Sequence, residues 1–197
     1  MGRVIVTAAV SLDGFIADES GGVGPLFDYY ASGEVEVVLG DEDRVFHVAP
    51  ATADYLRRFA SDSVGCLVIG RKLFDLTNGW NGRPASGDAV FVVTHRPPPT
   101  DWAFPDAPYT FVTTGVRDAI VEAKAFAGDR DVGVTAGSIG AQALEAGLVD
   151  EVHLNLVPVL FGSGVRFFGD YDGGTRLFSD PEVIEGNRVT HLIYRAA

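Results

Sequence analysis

The residues best suited to chemistry in this chain are two basic pairs and one glycine-rich turn. Arg71-Lys72 and His95-Arg96 each follow directly on an apolar, β-branched run, and VGVTAGSIGAQALEAG occupies 132–147. In that last stretch Val132-Gly133-Val134 leads through Ala136-Gly137-Ser138-Ile139-Gly140 into a short helix. Ser138 is the expected N-cap, and Gly147 is the expected left-handed residue at the C-terminus. A strand that turns through glycines into a helix leaves N–H groups facing outward at the positive end of the helix dipole, a setting that holds a phosphate. In an open α/β sheet the carboxyl ends of parallel strands line the ligand crevice. The two pairs and the Gly137 turn therefore place three anion-binding elements on one rim. The competing reading, solvated loop charge, fits Arg57-Arg58, which fall on the outer side of a helix.

If the ligand is a dinucleotide, the pattern departs from a Rossmann site. Gly137-x-x-Gly140 lacks the full glycine fingerprint and comes late in the chain. The acidic residue expected about 20 positions further on for a ribose 2′-hydroxyl is also missing. Basic residues at a strand end favour a 2′-phosphate, so NADP is expected over NAD. Other chemistries find little support. His47, His95, His153 and His191 have no metal-ligand spacing. There is no G-x-S-x-G elbow and no Walker A sequence, and Gly162-Ser163-Gly164 lacks a strand-turn-helix setting. Cys66, the one cysteine, lies in an apolar run and reads as a small core residue.

The elements that must position these groups follow from hydrophobic periodicity. Arg3–Leu12 is a nearly continuous apolar run, as expected of a strand covered on both faces. Asp13-Gly14 turns the chain, and 18–25 is a glycine-rich loop expected to act as a flap beside the aromatic run Phe27-Asp28-Tyr29-Tyr30. Residues 50–60 form a helix with Tyr55, Leu56 and Phe59 inward. Further buried strands are read at 65–70, 89–94 and 109–113, with a helix at 116–127 closed by Gly128. In 151–160, Val152, Leu154 and Leu156 alternate with His153, Asn155 and Val157. Thr175–Phe178, Val183-Ile184 and Val189–Tyr194 read as antiparallel strands at the end of the sheet. No repeat or linker divides the chain, so 1–197 is expected to be one α/β domain.

Bulk properties narrow the partners. Hydrophobic content is 47% and charged content 21%, which suits a globular chain with a substantial core. The net charge of −12 argues against a general nucleic-acid binder, which needs a broad basic face. No apolar stretch approaches the roughly 20 residues of a membrane span, and the N-terminus lacks a signal-peptide core, so a cytoplasmic protein is expected.

TAAVSLDGFIA, VIGRKLFD, VFVVTHRP, TAGSIGAQAL and VDEVHLNLVPVLFGSGVRFF, in that order over nearly the whole chain, resemble the dihydrofolate reductase-like superfamily. Within it the chain is most similar to the reductase-domain family of riboflavin biosynthesis, of the bacterial deaminase-reductase C-terminal type. The resemblance implies a three-layer α/β/α fold, with a mostly parallel central sheet and antiparallel C-terminal strands, and NADPH as cofactor. It implies that Ala8, Ala9 and Ile16 border the nicotinamide and that Arg71, Lys72 and Leu73 begin a helix touching the phosphates. By the same resemblance Thr94, His95 and Arg96 surround the 2′-phosphate, while Gly137, Ser138, Ile139, Gly140 and Gln142 hold the pyrophosphate. Two departures concern the substrate. The position where riboflavin-pathway reductases usually carry a glutamate is Thr135 here, and residues 18–49 offer no counterpart to their substrate-phosphate bases.

The function expected is hydride transfer from NADPH to a small heterocyclic or carbonyl substrate, pterin- or ribosylaminopyrimidine-like. Reduction of C=N or C=O also needs a proton donor, for which Asp13, Asp28 and Tyr30 are the candidates. The alternative is a nucleotide- or pterin-binding sensor without turnover, and a different reduced cofactor remains a third reading. The only partner expected beyond the small-molecule substrate is a second copy in a homodimer.

Overall fold

The computed structural model describes residues 2–61 and 63–197. Its centre is β1 (Val4–Ser11), buried from both sides because its residues are apolar on both faces. Val4, Val6 and Val10 enter one core, while Ile5 and Ala9 enter others on the opposite face. After the Gly14 turn, β2 (Phe15–Ala17) leads to a 3-10 helix at Gly24–Ala31 and a hairpin of β3 (Val35–Val38) and β4 (Val45–Val48). The 18–25 segment, expected to be a loose flap, is tied internally. The Asp18 carboxylate accepts from Ser20 N–H and Gly22 N–H, both at 2.8 Å.

Helix α1 (Pro50–Leu56) starts at a proline, whose missing N–H costs nothing at that position, and runs into a π-helical turn at Arg57–Ser61. Then come β5 (Val64–Gly70), α2 (Arg71–Asn81), β6 (Ala89–Val93), β7 (Tyr109–Val112), α3 (Val116–Ala127) and β8 (Asp131–Thr135). Helix α4 (Ser138–Glu145), β9 (Glu151–Val157), the short β10 (Val165–Arg166), β11 (Glu182–Gly186) and β12 (Val189–Arg195) complete the chain. The main sheet has the order β11-β12-β9-β1-β8-β5-β6-β7. Its pairs from β9 to β7 are parallel, and β12 is antiparallel to both β9 and β11. Thr175–Phe178, expected to be a strand, makes only one isolated bridge, Phe178 to Ala196.

Helices α3 and α4 cover one face of the sheet, and α1 and α2 cover the other, giving three layers. Helix α3 shows why. Val116, Ala119, Ile120, Ala123 and Ala127 recur at helical spacing and are all buried, and full burial of an Ile contributes about 1.5–3 kcal/mol. Cys66 lies in this core, where its thiol meets the Ala123 carbonyl at 3.4 Å and burial pushes its pKa up to about 12.

The amino ends of the three central strands are fastened by charge. Arg3 sits just before β1, and its guanidinium reaches Asp131 of β8 at 2.5 Å and Glu151 of β9 at 3.1 Å. Arg3 N–H adds a bond to Asp131, and Val4 N–H one to Asp150, at 2.8 and 2.7 Å.

At the other end of the strands, α4 packs tightly on β1 through Gly140. A Cβ built there would stand 2.9 Å from Val6 Cγ1 and 3.2 Å from the Thr135 carbonyl oxygen. Gly140→Val is therefore expected to destabilise the fold by about 1–3 kcal/mol, read as a lower denaturant midpoint with an unchanged slope.

Candidate functional site

A crevice of about 390 Å³ opens where β1, β5, β8 and β9 end. Ala8, Ile16, Gly70, Lys72, Leu73 and the turn Thr135–Ile139 line one half. Tyr30, Tyr55, Leu56, Phe59, Thr7 and Asn155 line the other. The first half is built from small residues on converging backbones. Gly137 has φ 84°, a conformation glycine adopts without strain, and it is the residue preceding α4. The N-cap is therefore Gly137 and not Ser138, because the left-handed turn comes one residue earlier than the serine. Gly137 N–H donates to the Phe167 carbonyl at 2.7 Å. Ser138 and Ile139, which line the crevice, belong to the first turn of α4, whose N–H groups have no acceptor within the helix.

The two basic pairs reach this rim differently. Lys72 and Leu73 line the crevice. Arg71 Nε meets Asp75 at 2.7 Å, and Arg71 also donates to the Pro97 carbonyl at 3.1 Å. Arg96 meets the other oxygen of Asp75 at 3.2 Å, so one carboxylate joins the ends of β5 and β6. His95 is exposed, and Thr94 is buried with its hydroxyl bonded to Arg96 N–H at 3.0 Å. Ala9 lines the crevice, whereas Gln142 is exposed on α4 and donates to the Ser138 carbonyl at 3.1 Å.

Of the three proton-donor candidates, Tyr30 lines the crevice, stacked among Tyr29 at 4.2 Å and Phe46 at 4.4 Å, and burial raises its pKa. Asp13 turns away from the crevice. It accepts from Ser11 hydroxyl at 2.5 Å and from Gly162 N–H at 2.7 Å, and these bonds hold its carboxyl below the usual range. Asp28 is exposed and is not among the lining residues.

Beneath the inner half lies a polar column that periodicity alone did not assign to the site. His153 Nε2 meets Glu151 at 3.0 Å, and His153 Nδ1 meets Tyr55 Oη at 3.3 Å. A carboxylate accepts only, so Nε2 carries the proton and Nδ1 accepts from the phenol. The Tyr55 ring stacks on His191 at 4.0 Å. Burial raises the Tyr55 pKa. His191 Nδ1 meets Asn155 Oδ1 at 2.8 Å, and its Nε2 meets Thr52 Oγ1 at 3.1 Å. Burial alone would raise the Glu151 carboxyl, but the His153 bond and the charge of Arg3 outweigh it and hold the group at about 2. Only the strand's share of this column was legible in the sequence, since its partners on α1 and β12 are remote from it along the chain. His153 and Asn155 alternate with apolar residues on a strand whose neighbours leave it no solvent face.

The chain belongs to the RibD C-terminal domain family, whose description is matched over residues 3–180. No curated protein matches it. Among solved structures, a protein from Shewanella sp. PV-4 assigned to riboflavin biosynthesis superposes with TM-score 0.68 at 23% identity, covering 99% of both chains. The Thermotoga maritima diaminohydroxyphosphoribosylaminopyrimidine deaminase/5-amino-6-(5-phosphoribosylamino)uracil reductase gives 0.62 at 15% identity. The present chain is covered in full and spans 57% of that one. Dihydrofolate reductase from Enterococcus faecalis, complexed with NADP(H), gives 0.57 at 15% identity over 99% and 96% of the two chains. The fold is thus dihydrofolate reductase-like.

Burial, with a smaller contribution from His153, pushes His191 down to about 4. Between its ordinary value of about 6.5 and pH 4 the unfolded chain takes up a proton that the folded chain refuses. The contribution to stability is complete above pH 6.5 and is lost as pH falls to 4, on the order of 3 kcal/mol. His191→Gln should remove that loss, so denaturant titrations at pH 7 and pH 4 should differ less in the variant than in the wild type.

Proposed function

We propose that the chain is an NADPH-dependent reductase that passes a hydride to a small heterocyclic or carbonyl substrate, pterin- or ribosylaminopyrimidine-like. The observation that carries this reading is the continuity of the crevice. One half is backbone-lined and ends at a helix N-terminus beside Lys72, and the other is aromatic with a polar floor. The first half fits the cofactor. A Cβ at Gly70 would come within 3.1 Å of Ile139, and Gly137 turns the chain at a φ of 84° that favours glycine, so the two glycines shape the cradle. Membership of the RibD C-terminal domain family supports the same reading.

In this reading Ala8, Ala9 and Ile16 set the plane of the nicotinamide, and Ser138, Ile139 and Gly140 receive the pyrophosphate on their N–H groups, with Gly137 shaping the turn and Gln142 bracing it. Arg71, Lys72 and Leu73 flank the phosphates. Thr94, His95 and Arg96 take the 2′-phosphate, for which Arg96 must exchange its bond to Asp75. The bound cofactor supplies the hydride. The chain contributes mainly orientation, which is the larger part of such catalysis. Asp13 fixes the turn between β1 and the 161–162 segment, and exposed Asp28 has no contact that argues for a role in proton transfer. Tyr30 and Tyr55 keep their protons at neutral pH because burial disfavours the phenolate. Tyr55 is the better placed candidate, since its phenol belongs to the crevice wall and is held in place by His153 at 3.3 Å. The reading includes one domain over 1–197, a cytoplasmic setting and a homodimer, the last checked by sedimentation.

Loss of absorbance at the reduced-nicotinamide band with pterin, ribosylaminopyrimidine and quinone-like acceptors tests the activity. Steady binding with no loss across that panel would favour a non-catalytic sensor. Arg96→Glu is expected to weaken NADPH by roughly tenfold or more, about 1.4 kcal/mol, while leaving NADH nearly unchanged. Equal effects on the two nucleotides would remove the 2′-phosphate assignment.

A further inference from the structure

The inner half of the crevice has a definite chemical character. Tyr30, Tyr55, Leu56 and Phe59 give it flat and apolar walls. Its polar groups are the Tyr30 and Tyr55 phenols together with the Thr7 hydroxyl and the Asn155 amide, the last two on neighbouring strands β1 and β9. Among the described residues that line the crevice, Lys72 is the one cation. Lys72 stands on α2 in the cofactor half, beside Leu76 and Gly21. The other basic side chains near the inner end are spent elsewhere. Arg3 is held by Asp131 and Glu151, and Arg58 pairs with Glu182 at 3.0 Å. A phosphate needs charge-assisted donors, and burying it among these rings without one would be costly.

The Asn155 amide is also oriented. Its oxygen accepts from His191 Nδ1 at 2.8 Å, and His191 Nε2 accepts from the Thr52 hydroxyl at 3.1 Å. A neutral imidazole has one donor and one acceptor, so this chain of bonds turns Nδ2 of Asn155 toward β1 and the crevice. There Nδ2 makes one long bond, 3.4 Å to Thr7 Oγ1, which an acceptor on a ligand can displace. Rings above and an N–H donor at the edge suit a planar ligand with a carbonyl or ring nitrogen on its rim.

We infer that the inner crevice takes an uncharged, flat heteroaromatic ring whose carbonyl or ring-nitrogen edge is read by the Asn155 amide, and that it rejects the same ring carrying a phosphate. This sharpens the reductase reading and rests on it for the choice of crevice. It separates the two substrate types left together there, excluding the phosphorylated ribosylaminopyrimidine.

The test is calorimetric titration of the full chain with lumazine and with 8-ribityllumazine 5′-phosphate, each with and without NADP present. NADPH binding is measured separately, so failure of the cofactor reading is seen on its own while the lumazine experiments still stand. Lumazine is expected to bind, and the phosphorylated compound to bind at least tenfold more weakly. Asn155→Leu should weaken lumazine by a similar factor without changing NADPH affinity. Phe27 lines the crevice and is half exposed, so Phe27→Lys should fold normally and place a cation at its wall. That variant should bind the phosphorylated compound several-fold better than the wild type does. No binding of lumazine at millimolar concentration would overturn the inference, as would equal or tighter binding of the phosphorylated compound by the wild type. An unchanged lumazine affinity in a folded Asn155→Leu, or no gain for the phosphorylated compound in Phe27→Lys, would overturn it as well.

Discussion

The structure depends first on one shared cation. Asp131 and Glu151 begin the two strands that flank β1, with their carboxylates almost fully enclosed, and burying two such charges without a cation between them would be costly. Arg3 lies between them because β1 lies between β8 and β9, so a single guanidinium fixes the relative register of three parallel strands. Register is weakly specified when a strand is apolar on both faces, since a slip exposes no polar mismatch. Here the slip would separate charges. The amino ends of the sheet are thereby locked, and the carboxyl ends are free to carry small, glycine-rich or aromatic residues chosen for a ligand.

The same ion cluster supports the crevice from below. Glu151 fixes the tautomer of His153, His153 positions the Tyr55 phenol, and Tyr55 in turn stacks on His191. Helix α1 is held to the sheet by this column as well as by its apolar contacts. A buried polar network of this kind specifies a unique arrangement only when every member is satisfied, and no buried side-chain nitrogen or oxygen among the described residues lacks a partner. The aromatic wall is thus set by polar bonds and filled by apolar packing.

Much of this could be read in the residues. Alternation and β-branching located β1, β5, β6 and β8, and helical spacing located α3 with its buried side correctly assigned. The Gly137 turn and its neighbours were legible because a glycine–small-residue strand-to-helix turn has few structural uses. Two features were hidden. Asp75 could not be foreseen as the partner of both Arg71 and Arg96, since their meeting depends on β5 and β6 being neighbours in space. Beyond the Glu151–His153 pair, the column to His191 joins residues 36 to 139 positions apart in sequence, and no local period encodes such a contact. Thr175–Phe178 misled in the opposite direction. Its residues favour a strand, but β11 and β12 had already closed that side of the sheet, and one bridge was all that remained.

Cys66 adds a practical property. Its sulfur is fully enclosed by β5 and α3 and remains a thiol far above neutral pH, so maleimides and disulfide reagents should pass it by. A cysteine introduced anywhere on the surface would then be the sole labelling handle in the native chain. Dye pairs or spin labels could report the opening of the crevice without first stripping a native thiol.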